Sequence, residues 1–461
     1  MRFRKEMKQY NQRESWKSRI GFIFAALGSA VGLGSIWRFP YIVGENGGAV
    51  FIFLYLFCLF LIGFPTLIAE ILIGRSTQTS PAGAYRLLGR SSSWAIGGKL
   101  AIITGLIISS FYSVIAGWAL GYFVEALRGS ITHFSSPEMA LEHFQALSSS
   151  AFWTMGFHFI FLLLSAGILF AGVRKGIEIG SKIMMPLLFF VLIILIIKGL
   201  TLTNAKEGIK FLFSPDWRAI TPKVFLMALG QAFFTLSLGQ GTMVTYGSYL
   251  SRSEDIPRSC FPVVLLNTFI ALLVGIAVFT IVFSVGLKPQ VGAALIFETL
   301  PIVFSKLLWG RALAILFFFL VSLAAVTSEI SALEPIISYL IDEKGWKRKK
   351  AVLFSGLVAF ILGIPSALSF SFWKNITVFG ANFFDIISFI SVNILVPVGG
   401  LIAVLLVAWR WGIKETFENL KVGKLAFCRE KPMLSLYFHI TLKYLAPLFI
   451  IFILLDLLGL Y

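Results

Sequence analysis

The chain has 461 residues, of which 58% are hydrophobic and 13% charged, and its mean hydropathy is +0.89. Soluble domains carry about 25% charged residues. Apolar stretches of about 20 residues, each long enough to cross a bilayer, recur along the whole chain. The composition therefore excludes a soluble globular protein and predicts an all-α polytopic membrane protein.

Eleven membrane spans are predicted, and residues 18–461 are expected to form a single transmembrane domain. Span 1 to span 11 cover about 18–42, 49–73, 97–127, 151–171, 179–200, 222–250, 259–287, 310–341, 350–369, 378–410 and 437–460. Residues 201–221 are predicted to be an outer loop that holds short helices. The three cysteines are far apart and have no spacing typical of a metal site or a disulfide framework.

The formal net charge of +17 comes from basic residues that gather in alternate loops. Integral membrane proteins place such loops in the cytoplasm. The bias argues against a nucleic-acid partner and predicts a multi-pass protein of the bacterial inner (plasma) membrane, with residues 1–17 as a cytoplasmic N-terminal segment. The basic clusters are residues 2–19, 344–350 and 410–431.

Span 1 contains a break at residues 28–40, which read GSAVGLGSIWRFP. Three glycines within seven residues weaken a helix by about 1 kcal/mol each relative to alanine. Unpaired backbone at membrane depth must be buried or line a cavity, where freed carbonyls bind a cation and a half-helix N-terminus meets an anion. A glycine-rich packing face is the alternative, but Arg38 and Pro40 fit it poorly. The break indicates a transporter.

Span 6 is interrupted in the same way at residues 231–241, which read QAFFTLSLGQG. The two breaks lie five spans apart, and five crossings reverse the direction of insertion. Paired breaks in opposed halves are typical of an inverted repeat with the ligand site between them. They predict repeats of about 18–200 and 222–410, followed by an extra helix at about 437–460.

Span 8 carries two adjacent hydroxyl side chains, Thr327 and Ser328. Neutral oxygens of this kind suit a hard cation such as sodium at membrane depth. The alternative is that both hydroxyls bond back to carbonyls of their own helix. With two broken spans in the same chain, we favour cation ligands.

These features resemble the neurotransmitter:sodium symporter family, in its bacterial amino-acid-transporter branch with the leucine-transporter fold. The resemblance runs from about Arg13 to the end of span 10. It implies an inverted five-helix repeat in which helices 1 and 6 are discontinuous. The matching motifs are residues 28–40, 45–48 (ENGG), 214–217 (SPDW), 233–241 and the pair Thr327-Ser328.

The resemblance also implies two sodium sites. The Thr327 ion site would consist of the carbonyls of Gly28, Val31 and Ala324 and the hydroxyls of Thr327 and Ser328. The Asn267 ion site would consist of Ala30, Ser35, Thr235 and Asn267, together with the carboxylate of the substrate. Ser35 departs from the asparagine that is usual in the family.

By the same resemblance, the α-carboxylate of an amino acid substrate would meet the N–H groups near Leu33 and Gly34 and the hydroxyl of Tyr112. Its ammonium would meet carbonyls near Ala30 and Phe234. The side-chain pocket would be lined by Ile108, Phe234, Ser237, Gln240, Ser328 and Ala332. Gln240 replaces an aromatic or apolar residue, so we expect a pocket more polar than a leucine site.

The residues that form the two gates of the family are matched in part by this chain. The resemblance implies a cytoplasmic latch made of Arg13, Trp16, Tyr249 and Asp342. Arg38 resembles the outer gate arginine, whose usual aspartate partner aligns with Ser388. Asp385 lies three residues earlier on the same helix face, and we expect it to pair with Arg38 instead; the alternative for Arg38 is snorkelling to the membrane interface.

The anion dependence is left open by the sequence. Tyr55, Gln231 and Thr235 resemble parts of the chloride site of the family, but Ala271 stands where a serine or a carboxylate decides chloride dependence. Glu329, next to Ser328, is a carboxylate at membrane depth, which marks a functional site by default. We expect it to titrate during transport, unless it is turned into an aqueous vestibule.

The sequence therefore predicts a sodium-coupled secondary symporter that imports an amino acid by alternating access. A proton-coupled transporter or exchanger that uses Glu329 is one alternative, and a sodium-dependent transceptor or channel on the same scaffold is another. The sequence has no nucleotide-binding loop or catalytic constellation, so we expect no enzyme activity. The expected partners are an amino acid, sodium ions and the lipid bilayer, and a homodimer is left open.

Overall fold

The computed structural model describes residues 13–131, 133–284, 296–378, 380–422 and 432–457. The predicted ends at residues 1–12 and 458–461 lie outside the described residues, as do residues 285–287 of predicted span 7.

Nine helices in the described part are long and apolar enough to cross a membrane, which confirms a polytopic all-α protein. Each corresponds to one predicted span. Spans 2 to 5 are Ala49–Thr77, Ser92–Arg128, Ala151–Phe170 and Val173–Leu200. Spans 7 to 11 are Ile256–Ser284, Gly310–Lys344, Arg348–Leu368, Phe383–Leu420 and Met433–Leu457.

Span 1 is a bent pair of helices, Arg19–Ala30 and Gly34–Glu45, that meet at 53°. The first half begins at Ser18, whose hydroxyl accepts the N–H of Gly21 at 3.0 Å and so satisfies one free donor of the first turn. It ends where the glycines begin, as the sequence predicted. Its last four residues, from Leu27 to Ala30, are buried.

Span 6 is divided into Pro222–Thr235 and Thr242–Ser248 by six residues without helical structure. Gly239 in this segment has φ +74°, a conformation that side chains with a Cβ rarely adopt. A Cβ there would overlap the carbonyl of Val396 on span 10, and a Cβ on Gly399 would overlap the carbonyl of Gly239. The interrupted segment therefore packs backbone against backbone on span 10.

Spans 2, 3 and 8 form the interior of the bundle. Their most apolar windows are 72% buried, whereas those of spans 4 and 9 are only 39% buried and face outward. Both breaks lie beside this interior, because the backbone of span 1 bonds to side chains of spans 3 and 8, and Thr242 of span 6 donates to the Ser331 carbonyl of span 8. The non-helical backbone of the two breaks therefore lies at the centre of the molecule.

Short helices cover the two ends of the bundle. Pro81–Gly89, which follows span 2, lies at the same end as Trp16, and we call this end the N-terminal face. The opposite face carries Pro137–Ser149 and Thr299–Lys306. The predicted loop at 201–221 contains Ala205–Phe213 and Trp217–Ala219, so the prediction of short helices there is confirmed.

Candidate functional site

The Thr327 ion site is assembled from spans 1 and 8. Ser328 Oγ donates to the carbonyls of Gly28 at 3.3 Å and Ser29 at 3.0 Å, across the break in span 1. Thr327 Oγ1 donates back to Ala324 of its own helix at 2.9 Å. A Cβ on Gly28 would lie 3.1 Å from the Cβ of Thr327, so the two spans are in close contact.

The sequence left two interpretations open for the hydroxyls of Thr327 and Ser328, and each hydroxyl follows a different one. Thr327 makes the bond to its own helix, while Ser328 bonds across to span 1. Val31 ends the first half of span 1, where its N–H reaches Leu27 at 2.7 Å. Gly28, Ala324, Thr327 and Ser328 are thus brought together, and the oxygens among them are neutral.

The Asn267 ion site is a single buried network. Ser35 Oγ lies 3.1 Å from the Ala30 carbonyl, 3.1 Å from Thr235 Oγ1 and 3.3 Å from Asn267 Oδ1. Asn267 Nδ2 donates to Thr235 Oγ1 at 3.2 Å. All four predicted residues are therefore neighbours, although serine replaces the longer asparagine. Their oxygens are neutral carbonyls, hydroxyls and an amide, a donor set that fits sodium beside an unwound helix.

A central cavity lies between these two clusters. It is lined by Ser29, Ala30, Gly32, Gly34, Ile108, Tyr112, Phe234, Ser237, Gln240, Ser328 and Ala332. All six residues predicted for the side-chain pocket are present, and Ser29 and Gly32 were missed.

Glycines of the break leave backbone exposed to this cavity. A Cβ on Gly32 would overlap Ser328 Oγ and would lie 2.9 Å from the hydroxyl of Tyr112. The hydroxyl of Tyr112 accepts the N–H of Leu33 at 3.2 Å. Tyr112 lines the cavity and holds the Leu33 amide beside it, but Leu33, also predicted to meet a carboxylate, is not among the described residues that line the cavity.

A carboxylate that was not predicted from the sequence holds the break of span 6. Glu70 on span 2 is 1% exposed, and its Oε1 accepts the N–H of Gly239 at 2.7 Å. Oε2 has no hydrogen-bond partner among the described residues. A carboxylate within a membrane span was the available signal, since such residues are costly and functional.

Replacing Glu70 with alanine is expected to lower the stability of the protein by about 1–3 kcal/mol, because the buried Gly239 N–H loses its acceptor. Glu70→Gln keeps an oxygen at the same place and serves as the matched control. Thermal unfolding of both variants in detergent measures the difference. Equal melting temperatures for the two variants would show that the bond to Gly239 contributes nothing.

The N-terminal face is closed by the residues of the predicted latch. The guanidinium of Arg13 forms an ion pair with Asp342 and lies 4.8 Å from the ring centre of Tyr249. Trp16 donates from its backbone to the Tyr249 carbonyl at 3.1 Å and from Nε1 to the Tyr246 carbonyl at 3.0 Å. All four predicted latch residues are therefore in contact.

A second ion pair, which the sequence analysis did not predict, lies next to the latch. Glu334 on span 8 is completely buried and accepts two bonds from Arg348, at 2.9 and 2.8 Å. It also accepts the hydroxyl of Tyr249 at 2.7 Å. Tyr249 therefore joins both ion pairs, and the N-terminal face is sealed by one continuous polar network.

The opposite face is closed by fewer polar contacts. The predicted pairing of Arg38 with Asp385 is wrong for this conformation. Arg38 donates to Gln231 Oε1 and lies 5.0 Å from the ring centre of Phe234. No ion pair joins it to Asp385 in the described residues. Asp385 is exposed in the first turn of its helix, where its N–H donates to Asn382 at 2.9 Å. A shared helix face did not bring the carboxylate to Arg38, because Gln231 is already in reach.

Glu329 does not face an aqueous vestibule in this conformation. It is 0% exposed, and the hydroxyl of Ser109 on span 3 donates to its Oε1. Its Oε2 has no hydrogen-bond partner among the described residues. Ala271 is also fully buried and supplies no side-chain oxygen.

Comparison with known proteins is consistent with this arrangement. Residues 13–137 and 153–460 match the sodium:neurotransmitter symporter family. An uncharacterized sodium-dependent transporter of Bacillus subtilis is 39% identical over 96% of this chain and 97% of its own length. One from Haemophilus influenzae is 37% identical over 83% of this chain and 86% of its own length. The crystal structure of MhsT in complex with L-phenylalanine matches with a TM-score of 0.88 at 39% identity, over 96% of this chain and 99% of that one.

Proposed function

Because the chain belongs to the sodium:neurotransmitter symporter family, we propose that it imports an amino acid in symport with sodium. The observation that carries the proposal is the central cavity flanked by two clusters of neutral oxygens, both built on the break in span 1. The solved relative bound to L-phenylalanine supports an amino acid as the substrate.

Shared residues give a physical reason for coupling. Ala30 lines the cavity and its carbonyl belongs to the Asn267 ion site, while Ser328 lines the cavity and belongs to the Thr327 ion site. A cation that orders these groups also orders the cavity wall, so each ligand raises the affinity for the other. We propose two sodium ions, one at each site, with the substrate carboxylate completing the Asn267 ion site.

The closures at the N-terminal face and at the opposite face are the basis of the alternating access that we propose. We propose that the N-terminal face is cytoplasmic and that its network opens to release substrate, while the contact of Arg38 with Gln231 opens to admit it. Residues 18–200 and 222–410 are proposed to be the inverted repeats, with residues 437–460 as an added helix. The inner membrane of a bacterium is the proposed location.

Labelling of two engineered cysteines tests the orientation. In a variant whose Cys58, Cys260 and Cys428 are replaced by alanine, we expect Lys206→Cys to react with an impermeant maleimide on intact cells. Lys347→Cys, on the N-terminal face, is expected to react only after the cells are opened. Both side chains are exposed, so access decides the result. The reverse pattern would place the N-terminal face outside.

Replacing Tyr112 with phenylalanine is expected to weaken substrate binding tenfold or more. A hydrogen bond to a charged group contributes about 1.5–3 kcal/mol, and only the hydroxyl is removed. Tyr122→Phe on the same helix is the control, because the hydroxyl of Tyr122 has no partner among the described residues. Equilibrium binding of the best substrate measures the effect. A loss below twofold would exclude Tyr112 as the carboxylate partner.

Uptake into proteoliposomes tests the function itself. A panel of radiolabelled amino acids, offered with and without an inward sodium gradient, should yield at least one that accumulates only with the gradient. Accumulation driven equally by a proton gradient in sodium-free medium would favour the exchanger that uses Glu329. Sodium flux without stoichiometric amino acid movement would favour a channel.

A further inference from the structure

We infer that the substrate carries an uncharged side chain that forms hydrogen bonds, an aliphatic hydroxyl or a carboxamide, and that Gln240 recognises it. This rests on the proposed function and names the substrate class of the same cavity. The amino acids in this class are serine, threonine, asparagine and glutamine.

The carboxamide of Gln240 has no hydrogen-bond partner among the described residues, and its atoms remain accessible from the cavity. Its side chain lines the cavity and is 8% exposed. Among the described residues no hydrogen bond to its carboxamide is formed, although the group has two donors and an acceptor. Buried polar groups are almost always paired in native proteins. A ligand that fills the cavity buries the Gln240 amide, which then needs a hydrogen-bond partner on the ligand.

The other hydroxyls of the cavity are already engaged with each other. Ser29 Oγ lies 2.7 Å from Ser331 Oγ, and Ser237 Oγ donates to the Ser29 carbonyl at 3.0 Å. Ser328 donates across to the same carbonyl at 3.0 Å. These bonds join spans 1, 6 and 8. Gln240 is thus left, beside Tyr112, as the polar side chain available to a ligand, and Tyr112 stands with the backbone that is proposed to meet the carboxylate.

The cavity also excludes charged side chains. No Asp, Glu, Lys, Arg or His is among the described residues that line it, and an unpaired charge in such a site is strongly disfavoured. An apolar side chain of a ligand would bury the Gln240 amide without giving it a hydrogen-bond partner. A site built to form a hydrogen bond rejects the analogue that lacks it far more strongly than an apolar pocket rejects a hydroxyl.

Thermal stabilisation of the purified, detergent-solubilised protein tests this inference. The wild type is heated in sodium chloride and in potassium chloride with each of L-serine, L-threonine, L-asparagine, L-glutamine, L-alanine, L-valine, L-leucine and L-phenylalanine. We expect a polar amino acid to give the largest sodium-dependent shift, with an affinity at least tenfold above that of leucine.

Two variants and a control assign the preference to one side chain. Gln240→Leu keeps the volume and removes the amide, so the best polar amino acid should lose at least tenfold in affinity while leucine gains. Gln240→Asn keeps an amide and should retain the polar ranking. Gln145→Leu, at an exposed glutamine of the short helix Pro137–Ser149, should leave the ranking unchanged.

The outcomes separate this inference from the function on which it rests. If leucine or phenylalanine stabilises the wild type best in sodium, the substrate class is overturned while sodium-coupled amino acid binding stands. The same holds if Gln240→Leu leaves the ranking unchanged. If no amino acid stabilises the wild type in either salt, the proposed function fails as well. The wild-type ranking decides even if a variant does not fold.

Discussion

Sodium-dependent substrate binding is expected to disappear when Thr327 is replaced by valine and Ser328 by alanine. Valine keeps the shape of threonine, so the change removes two hydroxyl oxygens with little loss of volume. Ser328 also bonds the carbonyls of Gly28 and Ser29, so its loss frees the two halves of the site. A sodium ion would then face carbonyls alone, with two ligands fewer.

The measurement is the rise in melting temperature with sodium concentration, followed by sodium-driven uptake in proteoliposomes. We expect no sodium-dependent rise in the double variant and uptake at background. Thr280→Val with Ser322→Ala is the matched control, since both hydroxyls bond to carbonyls of their own helices, at 2.7 and 2.8 Å. Undiminished sodium stabilisation of the first variant would remove Thr327 and Ser328 from the proposed ligands.

Opening of the N-terminal face is expected when Arg13 is replaced by alanine. The side chains of Arg13 and Asp342 are only 8% and 10% exposed, and loss of one partner from a buried ion pair costs about 3–5 kcal/mol. That cost falls only on the state in which the pair is formed. The equilibrium should therefore shift toward a state with this face open by about a hundredfold or more, and net uptake should fall accordingly.

Thiol reactivity at the buried Ser338 reports the shift. Ser338 lies four residues before Asp342 on span 8 and is 2% exposed, so a cysteine there should react slowly while the face is closed. In the cysteine-free background, Arg13→Ala should accelerate labelling of Ser338→Cys. Arg86→Ala, which removes a half-exposed partner of Glu343 at the same face, is the control. Equal labelling rates in the two variants would contradict a closing role for Arg13.

The positions of the spans and of both breaks could be predicted from the sequence, because hydropathy and glycine spacing act locally along a helix. The neighbourhood of Ser35, Thr235 and Asn267 came from resemblance alone. The bond between Glu70 and Gly239 joins residues 169 positions apart, and no local pattern reports it. Likewise, helix-face spacing could not choose between Asp385 and Gln231 for Arg38, since that choice depends on how spans 1, 6 and 10 pack.

Gly239 has a mechanical consequence for how the molecule can move. Its N–H is held by Glu70 of span 2, and its Cα and carbonyl press on the main chain of span 10 at Val396 and Gly399. Main-chain atoms cannot change rotamer to relieve a close contact. The contact between spans 6 and 10 at Gly239 therefore transmits a displacement instead of absorbing it. When the middle of span 6 moves, the adjoining parts of spans 2 and 10 must move with it. These three segments therefore form one rigid unit, held together at Gly239.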